Sequence, residues 1–297
     1  MSSKVNIVMS TYNGEKFLRE QLDSLLNQKY QNCEIFVRDD GSKDGTVEIL
    51  EEYEEKYGIH VIRGKNMGFC ASFFEVLALA DIGDYWSFCD QDDIWFSDKL
   101  SYAVQWLDSQ KQDIPLLYHS SSEMIDEEGN RIGIQDPPRG SLCFRRAMTG
   151  TFGVGFSMVI NRRLREEMLK CNPYKVHAHD WLAGAIALGF GKVYVNHRIC
   201  AKYRRLDSSV TRVSFCRKIK WFLSMLRDSG DVAERNCEYI KVYKGELSPQ
   251  KQGIAELFEG RHYSLKIRLK KVFWPKRWRP SVSSELVMRF LMMAGKV

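Results

Sequence analysis

Tyr85-Trp86-Ser87-Phe88-Cys89-Asp90-Gln91-Asp92-Asp93-Ile94-Trp95 sets a nearly continuous apolar run directly against three carboxylates within four residues. An apolar run this short, closed by polar turn residues, is the pattern of a strand covered on both faces. Val5 to Ser10 has the same character and ends at Thr11-Tyr12-Asn13. Between these two runs, strand and helix patterns alternate. Glu34 to Arg38 and His60 to Arg63 read as strands, while Leu18, Leu22, Leu25 and Leu26 recur at helical spacing. Thr46 to Tyr57 and Gly68 to Ala80 give two further helices. Such alternation predicts right-handed crossovers, and so an α/β fold with a Rossmann-like, mostly parallel central sheet flanked by helices.

Ligands of such sheets bind beyond the carboxyl ends of the strands. Three polar turns fall there: Thr11-Tyr12-Asn13, Asp39-Asp40-Gly41-Ser42 and Asp90-Gln91-Asp92-Asp93. They are expected to converge on one crevice. Like charges crowded at Asp90, Asp92 and Asp93 repel, and one takes up a proton unless a cation neutralises the group. A hard divalent ion with oxygen ligands, Mg²⁺ or Mn²⁺, suits them, with substrate phosphates completing its shell. The competing account is a solvent-exposed loop that caps a helix near Asp98 to Leu107. Asp39 and Asp40 are likewise open to a plain turn role, with Asp44 capping the next helix. Neither a Walker A loop nor G-x-G-x-x-G is present, so phosphate charge must be met by a metal and basic side chains.

The 297 residues are 44% hydrophobic and 28% charged, enough for a real core. Lys plus Arg is 44 and Asp plus Glu 38, a net charge of +6 that suits a polyanionic ligand or an anionic membrane face. Eight cysteines lie at 33, 70, 89, 143, 171, 200, 216 and 237, with no C-x-x-C pair. They read as reduced core thiols. The N-terminus lacks a signal-peptide apolar region, and no apolar run approaches a spanning length. A cytoplasmic location follows as the expectation. Residues 1–212 read as one unit, divided at 110/111, and 213–297 as a helical C-terminal extension. Within the second half, Gly150 to Val159 is a Gly-rich bend. Arg162 to Leu169 and Asp180 to Leu188 are helices, and Lys192 to Val195 and Ile199 to Tyr203 are strands.

Taken together, Val5 to Asn13, Arg38-Asp39-Asp40-Gly41-Ser42-Lys43-Asp44-Gly45-Thr46 and Cys89 to Trp95 strongly resemble the inverting family-2 glycosyltransferases, which have the A-type nucleotide-sugar-binding fold. Asn66-Met67-Gly68-Phe69 looks like that family too, and the resemblance covers roughly residues 4–110. The D-Q-D-D-I-W form resembles the branch described as rhamnosyltransferases, which use dTDP-rhamnose. The resemblance implies a donor site of Thr11, Tyr12, Asn13, Asp39, Asp40, Asn66, Gly68, Asp90 and Gln91, with Asp92, helped by Asp90, holding Mn²⁺ or Mg²⁺. His179-Asp180-Trp181 looks like the family's acceptor-side motif, with Asp180 as general base and Trp95, His179 and Trp181 on the acceptor side. A carboxylate at that point would take the proton of an attacking hydroxyl; the competing accounts are a helix N-cap and an H-x-H-D metal cluster through His177. Tyr203 to Thr211 looks like the branch's Y-R-x-H-x-x-N-V motif, but Leu206 stands in place of the histidine and Ser209 in place of the amide. Arg204 and Arg205 remain as phosphate partners.

The C-terminal region is basic. Residues 202–220 hold seven Lys or Arg against one acid, and 261–280 hold eight with none. Phe273, Trp274 and Trp278 are interleaved with them, and Phe215 to Leu226 and Leu265 to Phe273 have helical spacing. A basic, aromatic, amphipathic segment suits an anionic membrane surface, extended by Leu286, Val287, Phe290 and Leu291. The alternative is a solvated face packed on the catalytic unit. The expectation is a metal-dependent inverting glycosyltransferase acting on a glycan precursor, lipid-linked, at the inner face of the membrane. Its rivals are a non-catalytic basic binding module and a sugar-nucleotide nucleotidyltransferase. No nucleic-acid reader motif is present.

Overall fold

The computed structural model describes residues 2–136, 142–205, 230–260 and 263–297. The first half runs β1 (Val5–Thr11), α1 (Glu15–Leu26), β2 (Cys33–Asp39), α2 (Thr46–Tyr57), β3 (His60–Arg63), α3 (Phe69–Leu79), β4 (Tyr85–Cys89), β5 (Ile94–Trp95) and α4 (Lys99–Asp108). The second runs β6 (Leu116–Ile125), β7 (Arg131–Gln135), α5 (Phe144–Ala147), β8 (Met158–Asn161), α6 (Arg162–Met168), α7 (Pro173–Val176), α8 (His179–Phe190) and β9 (Lys192–Arg204). Four more helices follow: α9 (Gly230–Tyr243), α10 (Pro249–Ala255), α11 (Leu265–Val272) and α12 (Val282–Met293).

One sheet takes the order β3-β2-β1-β4-β8-β6-β9-β5, with β7 beside β6. The α/β class and the parallel β3-β2-β1-β4 half follow the sequence reading. The other half is mixed rather than parallel: β8 runs antiparallel to both β4 and β6, and β5 antiparallel to β9. The two strands expected at 192–195 and 199–203 are one strand, irregular opposite Ser120 and Ser121. Its partner β6 escaped the apolar pattern because His119, Ser120, Ser121 and Ser122 are buried polar residues.

Strand alternation feeds two cores, one on each face of the sheet. Val5, Ile7 and Met9 pack with Leu18, Leu22, Leu50 and Leu100 on one side. Val8 and Phe88 pack with Phe73, Trp181 and Leu182 on the other. That second core continues without a break into Tyr239, Tyr243, Phe258, Trp278 and Leu291, so the C-terminal helices complete the catalytic unit's packing. Trp278 and Leu291, expected on a membrane-facing stripe, are fully buried. The indole of Trp278 packs on Phe258, and its Nε1 donates to the Lys271 carbonyl at 2.9 Å. The helix expected at Phe215 to Leu226 lies outside the described residues. Among those described, no helix is long and apolar enough to cross a membrane.

Arg38 pins the loop between β3 and α3. Its buried guanidinium donates to Asp40 at 2.6 Å, to Glu75 at 2.6 Å, to Ser72 at 3.1 Å and to the Lys65 carbonyl at 3.1 Å. Asp40 accepts in turn from the amides of Met67 at 2.9 Å and Gly68 at 3.0 Å. Removing one partner of such a buried pair leaves an uncompensated charge and costs about 3–5 kcal/mol. Arg38→Met is therefore expected to lower unfolding free energy in urea by about that much. A loss below about 1 kcal/mol would show that Arg38 is not the anchor of this loop.

Candidate active site

The register between strands brings the polar turns together. Thr11 lies opposite Asp39 across β1 and β2, and Met9 opposite Cys89 across β1 and β4. The turns are then stitched to one another. The Asp40 amide donates to the Thr11 carbonyl at 2.8 Å. The Gln91 side chain brackets Tyr12, accepting from its amide at 2.8 Å and donating to its carbonyl at 3.2 Å. Asn13, with a left-handed φ of 49°, accepts from the Lys43 amide at 2.9 Å and donates its own amide to Ser42 at 2.9 Å.

Asp39 and Asp40 are both buried and spend their carboxylates on the protein. Asp39 accepts from the amides of Gly41 at 3.0 Å and Ser42 at 2.9 Å, and from the Thr11 hydroxyl at 3.2 Å. Asp39 thus closes its own turn, while Asp40 binds Arg38 and the loop before α3. Tyr12, Asn13, Asn66 and Gly68 present the exposed surface of this side. A hollow of about 210 Å³ opens between Asn13, Lys16, Phe17, Gln91, Asp92 and Glu127. A larger one, about 490 Å³, sits at the opposite strand ends near Ser3, Asp84 and Arg162, away from the acid cluster.

In the acid loop, Asp90 and Asp92 are half-buried and Asp93 is buried. Asp93 accepts from the Arg204 amide at 3.0 Å, and its second oxygen has no partner. Burial, reinforced by the charges of Asp92 and Asp180, pushes the Asp90 carboxyl up to about 7. Burial raises Asp92 as well, against the pull of its own backbone amide and of Arg204. Burial, with the charges of Asp92 and Asp90, raises Asp93.

Arg204 does not wait for a phosphate. Its guanidinium is buried and donates to the carbonyls of Asp92 at 3.0 Å and Glu127 at 2.9 Å, and to Glu20 at 2.6 Å. It is a clasp that ties β9 to the acid loop and to α1. Arg205 donates to the Tyr203 hydroxyl at 3.3 Å. Leu206 to Thr211 lie outside the described residues.

Asp180 comes from the other half of the chain, in the first turn of α8, whose buried His179 packs on Phe88 of β4. It is half-buried and accepts from the Trp181 amide at 2.6 Å. Burial pushes its carboxyl up to about 6, opposed by the Trp181 amide and the Arg235 charge. Its charge acts on both Asp90 and Cys70. A helix N-terminus also favours a carboxylate, a helix-end role that Asp180 fills in the first turn of α8.

Trp95, His179 and Trp181, expected on an acceptor side, are buried and buttress the crevice from behind. Trp181 is buried and donates Nε1 to the Ala147 carbonyl at 2.7 Å. Trp95 is buried beneath the acid loop, with the Lys99 ammonium 4.3 Å from its ring. His179 is buried among Phe73 and Phe88, with both ring nitrogens unpartnered. Burial depresses it to about 3, so it is neutral at ordinary pH. His177 instead meets Glu234 at 3.0 Å, so no H-x-H-D cluster forms.

Sequence reasoning missed what packs against its motifs: His119 behind the Gly-rich bend, Arg235 on α9, and the placement of Phe69 beside His179. The Gly-rich bend exists because a Cβ at Gly153 would stand 2.2 Å from His119 Nε2, and one at Gly155 2.4 Å from His179 Nε2. Arg235 on α9 lies 4.5 Å from the Trp181 ring and acts on Asp180, though nothing in its local sequence marks it. Phe69 is 58% exposed beside His179, a position only the tertiary packing defines. Among the described residues, no group of three or more His, Cys, Asp or Glu is placed to hold a metal ion.

A family model described as Glycosyl transferase family 2 matches residues 6–169. The chain is 39% identical over 105 residues to a dTDP-rhamnosyl transferase, RfbG, of Shigella flexneri, a match covering 33% of this chain and 36% of that one. The chain thus spans little more than a third of that relative's length. Among solved structures, S. aureus TarS 1–349 in complex with UDP-GlcNAc superposes with a TM-score of 0.55 at 17% identity, covering 98% of this chain and 89% of that one. The mannosyltransferase PcManGT of Pyrobaculum calidifontis, in complex with GDP-Man and Mn²⁺, gives 0.52 at 15% identity, covering 100% and 85%. These likenesses concern the fold, whereas the family match spans the acid loop and both turns that border it. The chain belongs to glycosyl transferase family 2.

Proposed function

We propose that this chain is a metal-dependent inverting glycosyltransferase that moves a sugar from a nucleotide-diphosphate donor to a hydroxyl of a lipid-linked cell-surface glycan precursor. One observation carries the reading. A carboxylate from α8, Asp180, sits within electrostatic reach of the acid loop at the carboxyl ends of β1, β2 and β4. This supports a division of labour in which the acid loop serves the donor and Asp180, from the other half of the chain, serves the acceptor.

The donor half offers Tyr12, Asn13, Asn66 and Gly68 as exposed surface for the nucleoside, beside the hollow next to Asp92. Support for dTDP-rhamnose comes from the D-Q-D-D-I-W loop and from the relative in Shigella flexneri that carries that activity in its name. Asp90 and Asp92 are all-oxygen donors whose mutual repulsion a hard divalent cation relieves, and PcManGT is a fold relative described with Mn²⁺. Among the described residues no third His, Cys, Asp or Glu joins them, so Asp90 and Asp92 would hold such an ion together with oxygens of the donor. When bound, it stabilises charge growing on the departing diphosphate. Asp180 meanwhile accepts the proton of the acceptor hydroxyl as the new bond forms, and a single displacement inverts the anomeric carbon. Arg204 and Gln91 hold the loop that carries Asp90 and Asp92. The buried, neutral His179 and Trp181 fix the start of α8. The proposed location is cytoplasmic, peripheral to the inner membrane face.

Three outcomes follow. With a nucleotide-sugar panel and a lipid-linked acceptor, proton NMR of the product should show the anomeric configuration opposite to the donor's; retention would exclude single displacement. Asp180→Asn should cut kcat by about 10²–10⁴ while leaving nucleotide affinity within about twofold. An unchanged kcat would remove Asp180 from the chemistry. The base works ionised, so kcat should fall as pH drops through about 6, where Asp180 takes up its proton. A flat profile from about pH 5 to 8 would contradict that assignment.

A further inference from the structure

The C-terminal pair α11 and α12 presents an apolar surface that the packed core does not use. Leu265 is 66% exposed, Leu269 37% and Phe273 74%, a stripe spaced by four residues along α11 and just beyond it. Val282 at 57%, Leu286 at 66% and Met293 at 40% form the corresponding stripe on α12. The inward positions of α12 are Glu285, Met288 and Met292, all buried, so the outward apolar residues are not a displaced core face. Arg289 locks the two helices together by donating to the carbonyls of Val272 and, at 3.1 Å, Trp274.

Charge surrounds this surface with one sign. Lys266, Lys270, Lys276 and Arg277 are exposed beside it. From residue 263 to the end the sole acid is Glu285, which is buried and bound to Arg289 at 2.6 Å and to the Arg279 amide at 2.7 Å. A second copy of the chain meeting the same face would set these cations against one another. We infer that the α11–α12 pair is a docking surface for an anionic lipid bilayer. Leu265, Leu269, Phe273, Val282, Leu286 and Met293 enter the interface, and the lysines and Arg277 meet the headgroups. The pattern is that of an interfacial amphipathic element rather than a spanning one.

The surface is joined to the candidate active site. Thr149 donates to the Trp278 carbonyl at 3.2 Å, and the Arg279 guanidinium packs against Gly150. Two residues earlier, Ala147 accepts the indole hydrogen of Trp181, the neighbour of Asp180. Docking would thus hold the α8 end of the crevice near the bilayer, where a lipid-linked acceptor is delivered. This use rests on the proposed transfer, whereas the docking itself does not.

The test is co-sedimentation of the full chain with vesicles of phosphatidylcholine, alone or mixed with phosphatidylglycerol. The wild type should partition to the anionic vesicles, less so as salt rises. Phe273→Ser with Leu286→Asp should lower that partitioning at least about tenfold. Each of Lys266→Gln and Lys270→Gln should lower it about fivefold. Circular dichroism and nucleotide binding of the same variants should match the wild type, which separates a failed surface from a failed fold or a failed transferase reading. The inference is overturned if the wild type ignores anionic vesicles. It is also overturned if well-folded variants bind them as the wild type does, or if the wild type instead dimerises through this face.

Discussion

Three carboxylates at the end of a buried strand repel one another and lose water, and much of this protein is arranged around that cost. The loop from Asp90 to Asp93 cannot relax into solvent, because Phe88 and Cys89 before it and Trp95 after it are buried. Arg204 holds the loop through the Asp92 carbonyl and the Asp93 carboxylate, while Gln91 ties it to the turn after β1. What remains is a pair of half-buried acids, Asp90 and Asp92, whose carboxyls burial raises above the ordinary range. Asp180 is brought to the same place from α8, adding to the unfavourable charge. Strain of this kind at a strand's carboxyl end is characteristic of a site rather than of a core.

The parallel half of the fold was legible because β1 and β4 are apolar runs and β1, β2 and β4 each end in a turn with a distinct composition. Those same turns disclosed the acid loop and its partners across β1 and β2. The second half was not legible for a physical reason. β6 buries His119 and three serines, so its interior positions carry no hydrophobic signal, and β8 lies between β4 and β6 against the expected direction. Side-chain roles were harder than positions. Arg204, Trp95, His179 and Trp181 lie at or beneath the crevice, yet they are buried and support it from behind. A sequence marks that such residues belong near a site, but only packing decides which of them face the ligand.

The C-terminal third shows the same distinction between composition and placement. Its basic and aromatic content suggested one membrane-facing segment. In the fold, Trp278 and Lys271 are buried, and Lys271 lies between Phe258 and Tyr263. Tyr239 and Tyr243 of α9 complete the core around α8, and Arg235 of the same helix acts on Asp180. The segment beyond the family match is thus part of what shapes the α8 side of the crevice. The apolar residues left outside are those of α11 and α12 that point away from this core.

The account turns on Asp92 and its loop forming a donor site that needs a cation. Thermal unfolding of the wild type and of Asp92→Ala, with UDP, dTDP, GDP or ADP and with or without Mn²⁺, tests this directly. A ligand bound to the native state alone stabilises it by about 2.7 kcal/mol at a hundredfold excess over its Kd. The account predicts a Mn²⁺-dependent rise in Tm for one nucleotide, dTDP first among them, that disappears in Asp92→Ala. No rise with any nucleotide in well-folded protein, or a rise that survives the substitution, would contradict it.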